Sequence, residues 1–250
     1  MLTPVSTPLI ELLACPACSA DLEDAPGGLV CSTCGRSYPL RSGVPDLLRT
    51  TPSETPPPHF AGRALESIVA VPAVYDLVQR LAGAESLFRR MRPVLAQTEG
   101  AVVLDAGAGT GSLEALLPPS AHYLWLDTDS QKLTGFRKKS TAPAILGDAT
   151  RIPLRDRSVD WAMSIGVSHH LDDDELGRML DELRRVANRR LFFLDAVLNP
   201  TYTSRLLWRY DRGRHPRSAD TLRRLLAARF TIVSDEEFTI RHRYLLVTAK

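Results

Sequence analysis

Val102-Val103-Leu104-Asp105-Ala106-Gly107-Ala108-Gly109-Thr110-Gly111 is an apolar run that reaches a carboxylate and then turns through three glycines spaced two apart. It reads as a strand feeding a ligand loop. Glycine removes the Cβ atoms that would hold the backbone away from a ligand, and it permits the positive φ of a tight strand-to-helix turn. A second apolar run, His122-Tyr123-Leu124-Trp125-Leu126, ends at Asp127, where an acidic side chain accepts hydrogen bonds from ribose hydroxyls. A third, Ala144-Ile145-Leu146, ends at Gly147-Asp148-Ala149, and a fourth over residues 159–165 ends at Gly166. Four strand ends therefore line up along one sheet edge.

Beyond the fourth run, residues 176–186 read as an amphipathic helix, 190–197 as a fifth strand and 221–228 as a further helix. Residues 230–233 and 244–248 form a terminal strand pair. The alternation predicts an α/β fold, a mostly parallel sheet with helices on both faces, whose ligands sit beyond the carboxyl ends of the strands.

Composition agrees with a folded enzyme: 250 residues, 44% hydrophobic and 24% charged. The formal net charge of +2 does not argue for a nucleic-acid partner. No apolar run approaches the ~18 residues of a membrane span, so no membrane insertion is expected. The first ten residues lack the features of a signal peptide, and a cytoplasmic location is expected.

Together, residues 105–111, Asp127, residues 147–149 and residues 156–160 resemble the motif series of class I S-adenosylmethionine-dependent methyltransferases, over residues 64–250. The resemblance implies a Rossmann-like sheet of seven strands, the last antiparallel, with S-adenosylmethionine as cofactor. It implies that Gly107, Gly109 and Gly111 admit the methionine portion, that Asp127 holds the ribose diol and that Asp148 with Ala149 brackets the adenine. Asp105 would orient the loop and meet the cofactor's amino group. Ala108, Thr128 and Ile165 complete this candidate cofactor-binding set. Transfer from such a sulfonium donor is an in-line displacement, so the protein has to align a nucleophile and exclude water.

Ahead of this domain, Cys15-Pro16-Ala17-Cys18 and Cys31-Ser32-Thr33-Cys34 are two CxxC pairs, and the chain has no other cysteine. Two such knuckles complete a closed tetrahedral sulfur site suited to structural zinc. Iron fits the same geometry, and disulfides are the alternative without metal. With its continuation over residues 36–48, the segment resembles the zinc ribbon that serves as an activator subunit of tRNA and release-factor methyltransferases.

The expected organisation is a zinc ribbon over residues 8–49, a Pro-rich linker over 50–58, a helical cap over 59–98 and the methyltransferase domain over 99–250. Pro72 and Gly83 separate helices within the cap, whose segment 71–79 resembles the element that closes over the cofactor in such enzymes. Tyr75 is its candidate contact, against a plain packing role.

His169 and His170 follow the fourth strand where the methyl should sit, and imidazole titrates near working pH, so either is a candidate general base. Asp195 ends the fifth strand and is a third candidate, facing the acceptor or else acting as a turn acid. Arg212, Arg214 and Tyr210 belong to an Arg-rich stretch, 204–218, that either binds an acidic acceptor or a nucleic-acid backbone, or is a solvated face. All four cysteines are committed to the ribbon, which argues against pyrimidine C5 methylation through a cysteine adduct. An Asn/Asp-Pro-Pro-aromatic motif is absent after the fourth strand, where Ser164-Ile165-Gly166-Val167-Ser168 stands instead.

The leading expectation is methyl transfer to oxygen, nitrogen or an activated carbon of a small-molecule acceptor. The alternative is an rRNA or tRNA methyltransferase that grips RNA through the ribbon and the Arg-rich stretch. A third reading is a non-catalytic cofactor-binding protein with the ribbon as its docking surface for another protein.

Overall fold

In the computed structural model, residues 7–48, 84–199, 208, 214–240 and 242–250 are described. The opening run forms β5 (Val102–Ala106), buried from its second residue onward because both of its faces are covered. An all-apolar strand needs such a place, since a sheet with one solvated face would leave every second side chain exposed. Around it stand β6 (His122–Asp127), β7 (Ala144–Leu146), β8 (Val159–Ile165) and β9 (Ala187–Val197). The terminal pair is β10 (Ile232–Thr239) and β11 (Arg243–Ala249). The seven strands lie in the order β10-β11-β9-β8-β5-β6-β7. Only β11 runs against its neighbours, pairing antiparallel with both β9 and β10. The order reverses at β5, so the crevice at its carboxyl end is the ligand position for this topology.

Helices cover both faces. On one lie α4 (Asp173–Val186), which buries Leu176, Met179, Leu180, Leu183 and Val186, and α5 (Ala219–Ala227), which buries Leu222 and Leu226. Each such side chain stabilises the fold by about 2 kcal/mol relative to exposure. On the other face, α2 (Ala84–Leu95) and α3 (Ser130–Arg137) bring Met91, Leu95, Leu133 and Phe136 against Val103, Tyr123 and Trp125. The described part of the expected cap thus belongs to the sheet's own helical layer. Residues 59–83, with Tyr75, and the linker lie outside the described residues.

Two elements differ from expectation for clear reasons. Helix α4 begins three residues before the expected start, because Asp172 caps it: its carboxylate accepts from the Glu175 amide while the Glu175 side chain returns to the Asp172 amide. Strand β10 runs on through Ser234-Asp235-Glu236-Glu237, past the expected end at Val233. It is an edge strand whose exposed charges discourage pairing with another chain.

The ribbon comprises a short turn, α1 (Thr7–Ile10), and strands β1 (Leu22–Ala25), β2 (Gly28–Cys31), β3 (Ser37–Arg41) and β4 (Val44–Pro45) in a four-stranded antiparallel sheet. It does not stand apart. Asp46 bridges to Leu146 in parallel sense and the Leu47 amide donates to the Leu146 carbonyl at 2.8 Å, so residues 46–47 cover the edge of β7. Leu13 bridges Leu154, and Leu9, Leu13 and Leu47 share one core with Leu126, Ile145 and Leu154. A segment this small cannot bury a core of its own, and it borrows one.

Candidate functional site

The glycine loop is held from β6. The Gly107 and Ala108 amides both donate to the Leu126 carbonyl, at 2.8 and 3.0 Å. The Gly109 amide donates to Asp127 Oδ2 at 2.8 Å, while Trp125 Nε1 donates to the Gly109 carbonyl at 3.0 Å. One residue is therefore held at both its N–H and its carbonyl by two residues on the same face of β6, the period-two partners 125 and 127. Trp125 is a functional residue that the sequence reading took only as strand filling. Its signal was present, an indole two positions before the strand-end acid.

The three glycines have different tasks. A Cβ on Gly107 would lie 2.4 Å from a Val167 methyl, and one on Gly111 would lie 2.3 Å from the Phe136 ring, so both allow close packing. Gly109, at φ +56°, has nothing nearer than 4.0 Å in the Cβ direction. Its missing side chain leaves open space beside Asp127, a cradle that a cofactor backbone fits and a Cβ would fill. Asp127 is 6% exposed, accepts from the Asp129 amide at 2.9 Å and lies 3.7 Å from Lys132 Nζ. A carboxylate has about four lone-pair sites, so acceptor capacity for a diol remains.

Asp105 lies deeper than expected. It is 1% exposed and accepts from the Tyr123 hydroxyl at 2.6 Å. Burial pushes its carboxyl up to about 7; the Tyr123 hydrogen bond works against that rise and the Asp127 charge adds to it. It braces the loop from below. On the next strand, Asp148 Oδ1 accepts from the Thr150 amide and hydroxyl, both at 2.8 Å, and caps the turn containing the half-buried Ala149. The Gly147 amide donates to the Asp127 carbonyl at 3.1 Å, which keeps the β6 and β7 ends together. Thr128 is exposed beside Asp127, Ile165 half-buried at the tip of β8, and Ala108 buried in the loop.

Of the three acid–base candidates, two are brought together. His169 Nδ1 lies 2.6 Å from Asp195 Oδ1, 26 residues apart in sequence. Asp195 is 1% exposed, and it also accepts from the Ser168 amide and the Ala196 amide, both at 2.7 Å. Of the two roles expected for it, it takes that of a turn acid: it stands behind the imidazole and fixes it. The carboxylate thereby sets the orientation of the ring. His170 is exposed, its ring centroid 4.3 Å from that of His169. Trp208 meets His169 edge-on at 5.6 Å and His242 at 5.2 Å, and Tyr244 continues the aromatic row. Trp208 Nε1 is a buried donor with no partner among the described residues.

Arg217 corrects the reading of the Arg-rich stretch. It is 8% exposed and turned inward, donating to the Ser168 carbonyl at 2.7 Å, the Leu171 carbonyl at 2.8 Å and Asp173 at 2.7 Å. It is a clamp on the histidine turn, unavailable to a bound anion. Arg214 is exposed; Tyr210 and Arg212 lie outside the described residues.

In the ribbon, the four cysteine sulfurs lie within 4.8 Å of one another. Cys15 and Cys34 are 3.8 Å apart and Cys18 and Cys31 3.5 Å apart, too long for disulfides and close to the ~3.8 Å edge of a tetrahedron with 2.3 Å metal–sulfur bonds. The Cys31 thiol is drawn down to about 6, chiefly by the Cys34 amide. At Cys18 the Ala20 amide lowers the thiol, but Cys31, burial, Cys34 and Cys15 together push it up to about 12. Protons are thus shared unevenly among crowded thiols, and a cation would displace them. The Tyr38 hydroxyl lies 3.1 Å from Cys15 Sγ, a contact the spacing of the cysteines could not disclose.

Comparison with known proteins follows this geometry. Residues 103–190 match the family described as a methyltransferase domain, and residues 7–43 match the Trm112p-like protein family. A tRNA (carboxymethyluridine(34)-5-O)-methyltransferase of Arabidopsis thaliana is 33% identical over 99 residues, 39% of this chain and 24% of that protein. The chain spans 24% to 39% of the length of the curated relatives it matches. Among solved structures, a chain of the Haloferax volcanii complex between the Trm112 methyltransferase activator and a methyltransferase superimposes with a TM-score of 0.58 at 16% identity, covering 72% of this chain and 95% of that one. The Burkholderia thailandensis 1,6-didemethyltoxoflavin-N1-methyltransferase, with its substrate and S-adenosylhomocysteine bound, gives 0.54 at 19% identity over 79% and 92%. Residues 103–190 thus belong to a methyltransferase domain of the class I S-adenosylmethionine-dependent type, and residues 7–43 to an N-terminal Trm112-like domain that carries the four-cysteine cluster.

Proposed function

We propose that the chain moves the methyl group of S-adenosylmethionine to a hydroxyl oxygen of a small-molecule acceptor. The observation that carries this reading is the His169–Asp195 pair at the carboxyl end of the sheet. An amine or an activated carbon attacks with little help, whereas a hydroxyl gains nucleophilicity by losing its proton in the transition state. His169 Nε2 receives that proton, and Asp195 stabilises the imidazolium that results. The cofactor supplies an electrophilic methyl on a sulfonium. Asp127 binds the ribose hydroxyls, Gly109 admits the chain of the methionine portion, and Asp148 with Ala149 borders the base. Cys15, Cys18, Cys31 and Cys34 would hold a zinc ion with every coordination position filled by protein, so its contribution is to folding. Trp208 Nε1, the unpartnered donor beside His169, is placed to hold the acceptor, and the aromatic row favours a flat one.

A second reading, an RNA acceptor, is favoured by the name of the Arabidopsis relative and by the Trm112-like ribbon. Both readings deliver the methyl to oxygen. Incubating the protein with radiolabelled cofactor and either RNase-treated metabolite extract or purified total tRNA decides between them. Label in an extractable small molecule supports the proposal, and label only in RNA overturns it. An acceptor methylated at nitrogen or carbon would overturn the role given to His169.

A further inference from the structure

At the other end of the sheet, a groove of about 410 Å³ is lined by Arg157, Arg184, Arg189, Arg190, Arg229 and Lys250, with no carboxylate side chain in its walls. Six of the chain's 31 Lys and Arg residues line this one groove. The topology does the gathering. Arg157 precedes β8, Arg184 ends α4, Arg189 and Arg190 begin β9, and Lys250 follows β11, whose antiparallel course returns it beside the start of β9.

Neutralisation by neighbours is partial. Arg189 pairs with Asp160 at 3.0 Å and Arg229 with Asp181 at 2.6 Å. Arg157 instead binds the neutral Asn188 amide at 2.6 Å, and the Arg190 guanidinium lies 5.7 Å from the centre of the Trp161 ring, which fixes it without cancelling its charge. Arg184 and Lys250 are exposed. Five of the six are arginines, whose planar forks match phosphate oxygens. They come from separate stretches of chain along an open groove, which suits a ligand presenting several phosphates in a row. Five to six residues of strand separate Arg189 and Arg190 from Asp195, roughly 17–20 Å. The groove is thus set apart from the methyl-transfer site by the length of the strand.

We propose that this groove is a docking surface for the phosphodiester backbone of RNA, separate from the methyl-transfer site and independent of which acceptor is methylated. The test is fluorescence anisotropy of a labelled oligouridylate with the full-length, metal-loaded chain across a salt series. Binding should weaken linearly in log–log form as counterions are released, and Arg157→Glu with Arg184→Glu should lower affinity by about tenfold or more and flatten the salt slope by about two. Arg184→Glu with Lys250→Glu, made separately, should do the same. Binding of S-adenosylhomocysteine, measured by calorimetry, should be unchanged in both, and a pair that loses it has lost its fold and leaves the decision to the other. Undiminished RNA binding in the folded variants overturns the proposal, as does affinity indifferent to salt. Inorganic phosphate displacing the oligonucleotide at equal concentration would make this a small-anion site, and capture by phosphatidylserine vesicles without RNA binding a membrane-facing one; either result also overturns it.

Discussion

Three groups distant in sequence hold the turn of His169: Asp195 on Nδ1, Arg217 on the preceding carbonyl, and the His215 amide, which donates to the His169 carbonyl at 3.0 Å. His169→Ala should lower kcat by about 10²- to 10⁴-fold with cofactor affinity intact. In the same assay Asp127→Ala should weaken cofactor binding while leaving the histidine limb of the pH–rate profile in place. Gly111 and Gly109 separate packing from ligand approach. Both sit at positive φ, where alanine costs about 1–2 kcal/mol; Gly111→Ala also drives a methyl into the Phe136 ring and should cost about 1–3 kcal/mol more in denaturant unfolding, whereas Gly109→Ala meets open space and should add a loss of cofactor affinity instead. Asp105 gives a pH signature. Its carboxyl rests at about 7 in the folded chain against 3.8 when free, so its contribution is fully present below about pH 4 and is lost as the pH rises through 7. The loss is on the order of 4 kcal/mol, and Asp105→Asn should remove that slope from stability measured at successive pH values.

Among the elements, β7 and the ribbon depend on each other. A three-residue strand at a sheet edge has few partners of its own, and residues 46–47 supply its missing hydrogen bonds. The first cysteine knuckle also reaches the turn that follows β7. Arg151, in the turn capped by Asp148, donates to the Ala17 carbonyl between Cys15 and Cys18 at 2.9 Å, and Arg155 pairs with Asp21 at 2.6 Å. Chelation of the ribbon metal should therefore lower both the thermal midpoint and the affinity for S-adenosylhomocysteine. Arg151→Ala should reproduce part of the affinity loss with the metal still bound, which calorimetry with parallel metal analysis would reveal.

At the scale of the whole molecule, one core runs from Leu9 and Leu13 through the sheet to α4 and α5, so ribbon and domain should unfold in a single calorimetric transition in the metal-loaded protein. Two transitions would show that the shared core does not couple them. The sequence by itself determined the elements whose information is local: strands announced by apolar runs, the glycine turn, Asp127 and Asp148 at strand ends, and two CxxC pairs suited to a shared metal site. Even there the charged continuation of β10 beyond Val233 lay outside the expected strand, because an edge is defined by the neighbours a strand lacks. Tertiary structure alone decided what depends on separation along the chain: that Asp195 stands behind His169, that Trp125 grips Gly109, that Arg217 turns inward, and that six cations meet in one groove. A residue's type and period report the environment it needs, whereas its partner is chosen by the packing of segments that carry no record of one another.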